Sequence, residues 1–382
     1  MADLDLTTVL AERLQRQRLS DPLQSAREYV DLFRLLQPVS PIADSRPGDP
    51  PRLVHRTRFD DGQVAARLRA RRTIVKGRFL GGSLGYVLAE DLALYANAFQ
   101  RPASGLTEIQ EIVLDAVQSA GPLTPRQIKE ETGLLNKEIM PALHRLQQAF
   151  LVYEDQVDED WERGWYDFAG EWPEVEVDEG LRPAAARQVL LRFLQGHVLA
   201  MWEQMRDWSR WPVRFLEQLV QEMERAGQIV PRTVEGLDGG YVRSVSEGHV
   251  RGGSEGWMRA EDVDLPARAL RPSALMLHRA DILVQSHASE LKRRFGGLEV
   301  LQYLLVDGQF QEAVLGHWRI GPHDVDDIVL TLPAAERADR RAAILAAVGQ
   351  VYHPPHSRIL RYAGQLAQNP TAAHGRRWMA CT

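Results

Sequence analysis

Residues 106–153 read LTEIQEIVLDAVQSAGPLTPRQIKEETGLLNKEIMPALHRLQQAFLVY, a pattern typical of a helix-turn-helix module. Thr107 precedes a first stretch of helical periodicity, which Gly121-Pro122 ends. Thr124-Pro125 starts a second stretch, because a hydroxyl at the N-cap and proline at the first helical position are both favoured there. Gly133 closes that stretch after roughly two turns. The segment therefore predicts short helices joined by tight turns.

The third stretch of this module is the candidate recognition helix. Asn136 is its expected N-cap, and Lys137 and Arg145 lie off an apolar stripe at helical spacing. The stripe consists of Ile139, Met140, Leu143, Leu146 and Phe150. The apolar run 150–153 that follows predicts the first strand of a wing. Because winged helices bind either nucleic acids or proteins, the module alone leaves both partners open.

Composition predicts a multidomain globular protein. The chain has 382 residues, of which 44% are hydrophobic and 26% charged, a mixture typical of folded proteins. No apolar run approaches the roughly 20 residues that span a bilayer, and the N-terminus does not resemble a secretory signal. The single cysteine, Cys381, excludes an intrachain disulfide and a multi-cysteine metal site. We therefore expect a cytoplasmic protein without metal or cofactor.

Charge is distributed unevenly along the chain, whose formal net charge is -6. Basic residues dominate one segment: Arg52, Arg56, Arg58, Arg67, Arg69, Arg71, Arg72, Lys76 and Arg78. Acidic residues dominate the range 154–179, including Glu154, Glu171, Glu174, Glu176, Asp178 and Glu179. The basic segment predicts either a solvated helix or contacts with phosphate, to which arginine is well matched. The acidic range predicts a solvated linker, unless it folds over the basic surface in place of phosphate.

The remaining patterns predict an α+β fold that is mainly helical. Two helices fit residues 7–36, and a helix at 60–71 followed by a hairpin at 73–87 completes a first winged-helix-like unit. A later hairpin would pair Ile229-Val230 with Tyr241-Val242 around Asp238-Gly239-Gly240. Short apolar clusters beyond Arg271 predict a small β-barrel or antiparallel sheet, whose members are 275–277, 282–284, 298–306 with Asp307-Gly308, and 313–320.

These elements divide the chain into tandem winged-helix domains and a β-rich unit. A helix is expected at 334–351, and a poorly ordered tail beyond His356. The expected domains are 1–103, 104–180 with the acidic linker, 181–265, 266–352 and the tail 353–382.

Three further motifs are better explained by structure than by chemistry. His353-Pro354-Pro355-His356 has metal-like spacing, but its prolines prevent helical presentation and no third ligand is apparent. Gly81 to Gly85 lacks the lysine and hydroxyl of a phosphate loop, so a glycine hairpin is expected. Trp202, Trp208 and Trp211 favour core packing over base stacking. No familiar catalytic signature appears.

The order of these elements resembles the AlkZ/YcaQ-like family of bacterial DNA glycosylases. The resemblance rests on Leu36-Gln37-Pro38-Val39, Gly82-Ser83-Leu84 before Ala89-Glu90-Asp91-Leu92, the helix-turn-helix, and Leu305-Val306-Asp307-Gly308 in a β-rich unit. It covers roughly residues 7–350. It implies tandem winged helices and a terminal β-barrel around a DNA channel.

The resemblance also implies excision of alkylated or crosslinked bases by hydrolysis of the N-glycosidic bond. Such a reaction needs an aligned water and electrostatic support near the anomeric carbon. Gln37 matches the first position of the family's catalytic motif, but Val39 occupies the second and cannot orient water. A family histidine corresponds to Gly85. Asp44 is the weaker candidate for a substitute carboxylate.

Three functional hypotheses follow from these observations. The first is a monomeric DNA-repair protein that binds double-stranded DNA and has a degenerate excision motif. The second is an active glycosylase in which Asp44 or Glu90 positions water. The third is a winged-helix transcription regulator or interaction scaffold. The expected DNA contacts are Arg67, Arg69, Arg71, Arg72, Lys76, Arg78, Lys137 and Arg145.

Overall fold

The computed structural model describes most of the chain between residues 4 and 367. The described ranges are 4–41, 50–102, 104–155, 163–235, 255–262, 264–266, 268–317, 324–354 and 356–367. Within them the fold is α+β with more helix than strand, as the sequence predicts.

The helices and strands follow one another in short elements. The α-helices are α1 (Leu6–Arg16), α2 (Tyr29–Leu36), α3 (Asp61–Ala70), α4 (Leu92–Phe99), α5 (Glu108–Ala120), α6 (Pro125–Thr132), α7 (Asn136–Gln148), α8 (Phe168–Glu171), α9 (Arg182–His197), α10 (Trp202–Ser209), α11 (Val213–Arg225), α12 (Ile282–Ser286), α13 (Ala288–Phe295) and α14 (Ala334–Gly349). The strands are β1 (Leu4–Asp5), β2 (Ile74–Arg78), β3 (Leu84–Leu88), β4 (Val152–Asp155), β5 (Gly164–Asp167), β6 (Ala200–Met201), β7 (Ile229–Glu235), β8 (Glu255–Arg259), β9 (Ala274–Leu277), β10 (Val300–Val306), β11 (Gln309–Leu315), β12 (Asp327–Leu330), β13 (Arg361–Tyr362) and β14 (Gln365–Leu366).

The chain divides into two compact units. Unit 1 contains Met1–Arg271 and Ala280–Glu290, and unit 2 contains Pro272–Arg279 and Leu291–Thr382. In unit 1 one apolar core joins α2, the β2–β3 hairpin, α4, α9 and α11, so residues from the first and third expected domains pack together. The module of α5 to β5 has a core of its own around Val113, Leu143 and Trp165.

Local sequence explains the starts of α5 and α6. Thr107 accepts a hydrogen bond from the Gln110 backbone, and Thr124 accepts one from Gln127; each glutamine side chain accepts one in return. Such reciprocal bonds satisfy N–H groups that a helix start leaves unpaired. Gly133 ends α6 in the left-handed region at φ 73°. Asn136 is the first residue of α7 rather than its cap, a small correction to the prediction.

Hairpins complete the sheets of unit 1. The β2–β3 hairpin pairs Ile74 with Leu88. The strand predicted at 150–153 overlaps β4, which follows α7 and pairs with β5. A four-stranded sheet has the order β1-β7-β8-β6. In this sheet Ile229 of β7 pairs with Arg259 of β8, a partner that the sequence did not predict. Residues 238–242, including the predicted turn, lie outside the described ranges.

Unit 2 is built on an antiparallel sheet of order β12-β11-β10-β9. Asp307 and Gly308 both have positive φ and form the predicted turn between β10 and β11. Of the two predicted alternatives the structure shows the sheet, and its described residues form no closed barrel. The expectation of an unstructured segment directly after His356 is wrong, because β13 and β14 pair there and Tyr362 joins the core.

One apolar cluster was assigned to the wrong kind of element. Ile282, Leu283 and Val284 lie in α12 of unit 1, where the Asp281 side chain accepts a hydrogen bond from the Leu283 backbone N–H. The β-rich pattern predicted from Arg271 onward therefore overlooked an Asp-capped helix.

Candidate nucleic-acid interface

Gln37, the first position of the motif of the resembled family, is buried at the end of α2. Its side-chain Nε2 donates to Asp91 Oδ2 at 2.7 Å, and its Oε1 accepts the Leu88 backbone N–H at 2.8 Å. The Tyr95 hydroxyl donates to the Gln37 backbone carbonyl at 3.2 Å. Only 2% of Gln37 is exposed. The amide therefore joins α2 to the start of α4, and both its oxygen and its nitrogen have protein partners.

A carboxylate that sequence reasoning did not select lies beside Gln37. Besides the bond from Gln37, Asp91 accepts Arg192 Nη1 at 2.8 Å and is 8% exposed. Glu90, which the sequence offered as a substitute carboxylate, is exposed and paired with Arg34 on the surface. In the short 3₁₀ turn at Ala89–Asp91, Asp91 is buried and Glu90 is exposed. The sequence shows two adjacent carboxylates but does not indicate which of them is buried.

Two residues depart from the motif of the resembled family, Val39 and Gly85. The segments that contain them lie side by side. Val39 forms a bridge with Tyr86, in which each backbone N–H donates to the other's carbonyl at 2.9 Å. Gly85 lies beside Pro38: a Cβ at residue 85 would be 3.0 Å from the Pro38 Cβ. A larger side chain at 85 therefore requires Pro38 to move. Asp44 lies outside the described residues.

Part of the basic segment is neutralised by the acidic range. Lys76 Nζ is 3.0 Å from Glu154 Oε1, and Arg163 Nη1 reaches the same oxygen at 3.0 Å. Lys76 is 7% exposed and Glu154 fully buried. Arg72 pairs with Glu171 at 2.6 Å. These contacts support the alternative in which the acidic range covers the basic segment, and the buried, paired Lys76 is not exposed for contact with a phosphate.

The electrostatics of this buried cluster agree with its geometry. Burial by itself would raise the pKa of Glu154, but Lys76 and Arg163 outweigh it and lower that pKa. The Glu154 carboxylate is thus kept ionised between two cations. Two more arginines of the basic segment have carboxylate partners, namely Arg52 with Asp61 and Arg56 with Asp281.

Other predicted DNA contacts are distributed over different elements. Arg67 and Arg71 are exposed and four residues apart at the end of α3, so they share one side of that helix. Arg69 is partly buried. Lys137 is exposed in the first turn of α7. Arg145 instead donates to the backbone carbonyls of residues 101 and 102 and so links α7 to that segment.

Arg78 leads to a site that the sequence did not reveal. It lines a cavity of about 310 Å³ in unit 1, which we call the arginine cavity. Its walls contain four arginines and two aromatic rings, together with polar and small residues, and none of its lining residues is acidic: Arg78, Gly81, Gly82, Phe99, Gln100, Arg101, Pro102, Gln148, Arg182, Arg210, Trp211 and Pro212.

Neutral acceptors hold two of these guanidinium groups. Arg78 Nε donates to Gln147 Oε1 at 2.9 Å and its Nη1 to the Gly82 carbonyl at 2.9 Å. Arg210 Nη1 donates to Ser83 Oγ at 2.7 Å. Burial lowers the pKa of Arg78 and of Arg182, an effect that Glu154 and Glu179 respectively oppose. The positive charge of the arginines is therefore concentrated in the cavity wall. Among the described residues, no carboxylate is in direct contact with them.

Sequence reasoning missed the cavity because its arginines come from four separate segments. Arg101 follows α4, Arg182 starts α9 and Arg210 follows α10. The available signal was the glycine pair at 81–82, which the sequence assigned to a hairpin turn. That assignment is confirmed, and the turn is also one wall of the cavity.

Other classes of site find no support in the described ranges. No group of three or more His, Cys, Asp or Glu residues there has an arrangement suited to a metal ion. The helices of the described ranges include none with the length and apolarity needed to cross a bilayer.

Comparison with known proteins identifies the family and the fold. The profile described as DNA glycosylase AlkZ-like matches residues 44–353. Among solved structures, Streptomyces sahachiroi DNA glycosylase AlkZ is similar with a TM-score of 0.62 and 16% identity, over 94% of this chain and 100% of that one. No curated protein sequence matches significantly. Because the profile covers most of the chain, the protein belongs to the AlkZ-like DNA glycosylase family.

Proposed function

We propose that this protein binds double-stranded DNA on the glycosylase scaffold and that its Gln37-dependent excision chemistry is lost. Family membership supports DNA as the partner. The arginine cavity and the exposed pair Arg67 and Arg71 supply local positive charge despite the net charge of -6, and a DNA-binding surface needs only such a local excess. The proposal includes the tandem winged-helix arrangement, a monomeric state and a place in cytoplasmic DNA repair.

The hydrogen bonding of Gln37 is the observation that carries the proposed loss of excision. To align a water, the amide must offer a donor or acceptor in an open cleft next to the sugar. Here Oε1 and Nε2 are both engaged, with Leu88 and Asp91, and the side chain is buried. Val39 adds no polar atom at the second motif position. Releasing Gln37 would leave a buried backbone N–H without its acceptor, which costs about 1–3 kcal/mol.

One observation favours the second candidate, an active glycosylase. Asp91 places a carboxylate 2.7 Å from the Gln37 amide, so the pair of groups that such chemistry needs is present in altered form. Against it, Asp91 is itself bound by Arg192. This candidate differs from the first in one outcome only, the formation of abasic sites.

A single-turnover assay separates the two candidates. The full chain, in excess and at a salt concentration where binding is verified, is incubated with duplexes that carry alkylated or crosslinked bases, and abasic sites are quantified. We expect bound DNA and no abasic sites above the protein-free rate. Abasic sites that form with the wild-type chain and disappear with Gln37→Ala would establish the second candidate instead. Absence of duplex binding at low salt would refute both.

A further inference from the structure

We propose that the arginine cavity is a binding site for a nucleotide phosphate, that is, for a phosphoryl group carried by a DNA strand. This inference rests on the proposed DNA binding and names the part of unit 1 that recognises the strand. The charge of the cavity, a positioned arginine and the shape of its wall support this inference.

The charge of the lining selects an anion. Arg78, Arg101, Arg182 and Arg210 line the cavity, and no lining residue is acidic. In the ranges that the structure describes, none of the four has a carboxylate oxygen within 4 Å. Arginine fits phosphate because its planar donors match two phosphate oxygens at once. Four guanidinium groups without carboxylate partners around one concavity are therefore best compensated by a phosphate.

One arginine of the lining is held in place by an aromatic ring. The Arg182 guanidinium lies 4.6 Å from the centre of the Phe215 ring, which restricts its orientation. An arginine that is already positioned loses less conformational freedom when it contacts an anion.

A helix start adds to the same preference. Pro212 directly precedes α11 and lines the cavity. The first turn of a helix carries unpaired N–H groups and a partial positive charge, which together favour phosphate. The helix is 13 residues long, so it contributes a full dipole.

Glycines at the β2–β3 turn allow the wall to close around the site. Gly81 has φ +66°, and a Cβ there would lie 2.8 Å from Arg210 Cδ. Gly82 has φ +88°, and a Cβ there would lie 2.7 Å from Gln148 Nε2. Both residues adopt the left-handed backbone that favours glycine, and without a Cβ the turn lies close to Arg210 and Gln148. The resulting volume of about 310 Å³ falls near the lower end of ligand sites, roughly 300–1,000 Å³.

The test uses the full chain and a matched pair of variants. Arg101→Gln/Arg182→Gln removes two charges from the cavity. Arg27→Gln/Arg225→Gln removes two charges from exposed positions of unit 1 outside it. Circular dichroism verifies folding; should the cavity double variant be misfolded, Arg101→Gln alone replaces it, because Arg101 is exposed.

Binding is measured with three duplexes and with inorganic phosphate. The duplexes are a closed circle and linear fragments with 5′-phosphate or 5′-hydroxyl ends. We expect the cavity variant to bind each affected duplex at least about 10-fold more weakly than the control, because it loses one charge-assisted contact. The slope of the logarithm of its association constant against that of the salt concentration should be smaller by about 0.9. A loss on all duplexes identifies a backbone phosphate, and a loss only with 5′-phosphate identifies a terminal one. Broadening of the phosphate ³¹P signal by the wild-type chain should disappear in the cavity variant.

Equal affinities of the cavity and control variants on every duplex, together with unchanged phosphate broadening, would overturn the inference. That result leaves DNA binding by the wild-type chain intact, so it does not affect the proposed function. Conversely, phosphate broadening that depends on the cavity without any duplex binding would preserve the anion site and refute DNA as its source.

Discussion

Glu312 gives a prediction that depends on one buried carboxyl group in unit 2. It lies in the middle of β11, between Leu304 of β10 and Leu330 of β12, and is fully buried. Neither carboxyl oxygen has a hydrogen-bond partner among the described residues. Burial raises the pKa of Glu312 from 4.5 to about 8, although Arg337 acts in the opposite direction. The group is therefore protonated at neutral pH.

The sign and size of the effect on stability follow from that pKa. Between pH 4.5 and 8 the unfolded chain has lost this proton while the folded chain keeps it, so the free energy of unfolding falls as pH rises. At about 1.4 kcal/mol per pKa unit, the total loss approaches about 5 kcal/mol at alkaline pH. Glu312→Gln cannot ionise. It should remove this loss and be more stable than the wild type at pH 9, but not at pH 5.

Hydrogen exchange is the suitable assay, because a chain with two compact units need not unfold in one step. Protection of the β11 amides, corrected for intrinsic exchange, is compared at pH 5, 7 and 9. Glu336→Gln, at an exposed position of α14, is the control and should follow the wild type. The reasoning is refuted if the protection of the wild-type amides does not fall as pH rises. It is also refuted if the protection of Glu312→Gln falls in parallel with that of the wild type.

Three other changes test the architecture around the candidate interface. Glu154→Gln should destabilise unit 1 by about 3–5 kcal/mol in chemical denaturation, because it leaves Lys76 buried without its full counter-charge; a loss below that of an exposed substitution would contradict the buried pair. Gln37→Ala should lower stability by about 1–3 kcal/mol, through the unsatisfied Leu88 N–H, while duplex affinity in an anisotropy titration stays within about 2-fold; an unchanged melting temperature would show that its bonds do not matter. Gly81→Ala should cost about 1–2 kcal/mol for the left-handed backbone and also weaken DNA binding by displacing Arg210; full retention of both properties would exclude the close approach.

The parts of the fold that sequence predicts are those with local causes. Thr107, Thr124-Pro125 and Gly133 act within a few residues of their own helices, and the structure confirms the three-helix module that they predict. The Asp307-Gly308 turn is equally local, because both residues adopt positive φ. Family membership was also recognisable from the order of such elements.

The parts that sequence did not predict depend on residues far apart in the chain. The partner of β7 is β8, because strand pairing is decided by packing across the sheet rather than by the nearest turn signal. The sequence left open whether the acidic range covers the basic segment, and the pairs of Glu154 with Lys76 and Glu171 with Arg72 answer this only in the folded chain. The arginine cavity combines side chains from four segments, which no local pattern connects. Such long-range choices appear only when the chain is folded.

The salt dependence of duplex binding tests the central claim most directly. The affinity of the full chain for a duplex is measured by anisotropy between 50 and 200 mM salt, and the logarithm of the association constant is plotted against that of the salt concentration. We expect a steep, linear decrease, with a slope of about -0.9 for each phosphate neutralised and contacts with several phosphates. A flat plot, or no binding at 50 mM salt, would contradict the assignment of this protein to DNA.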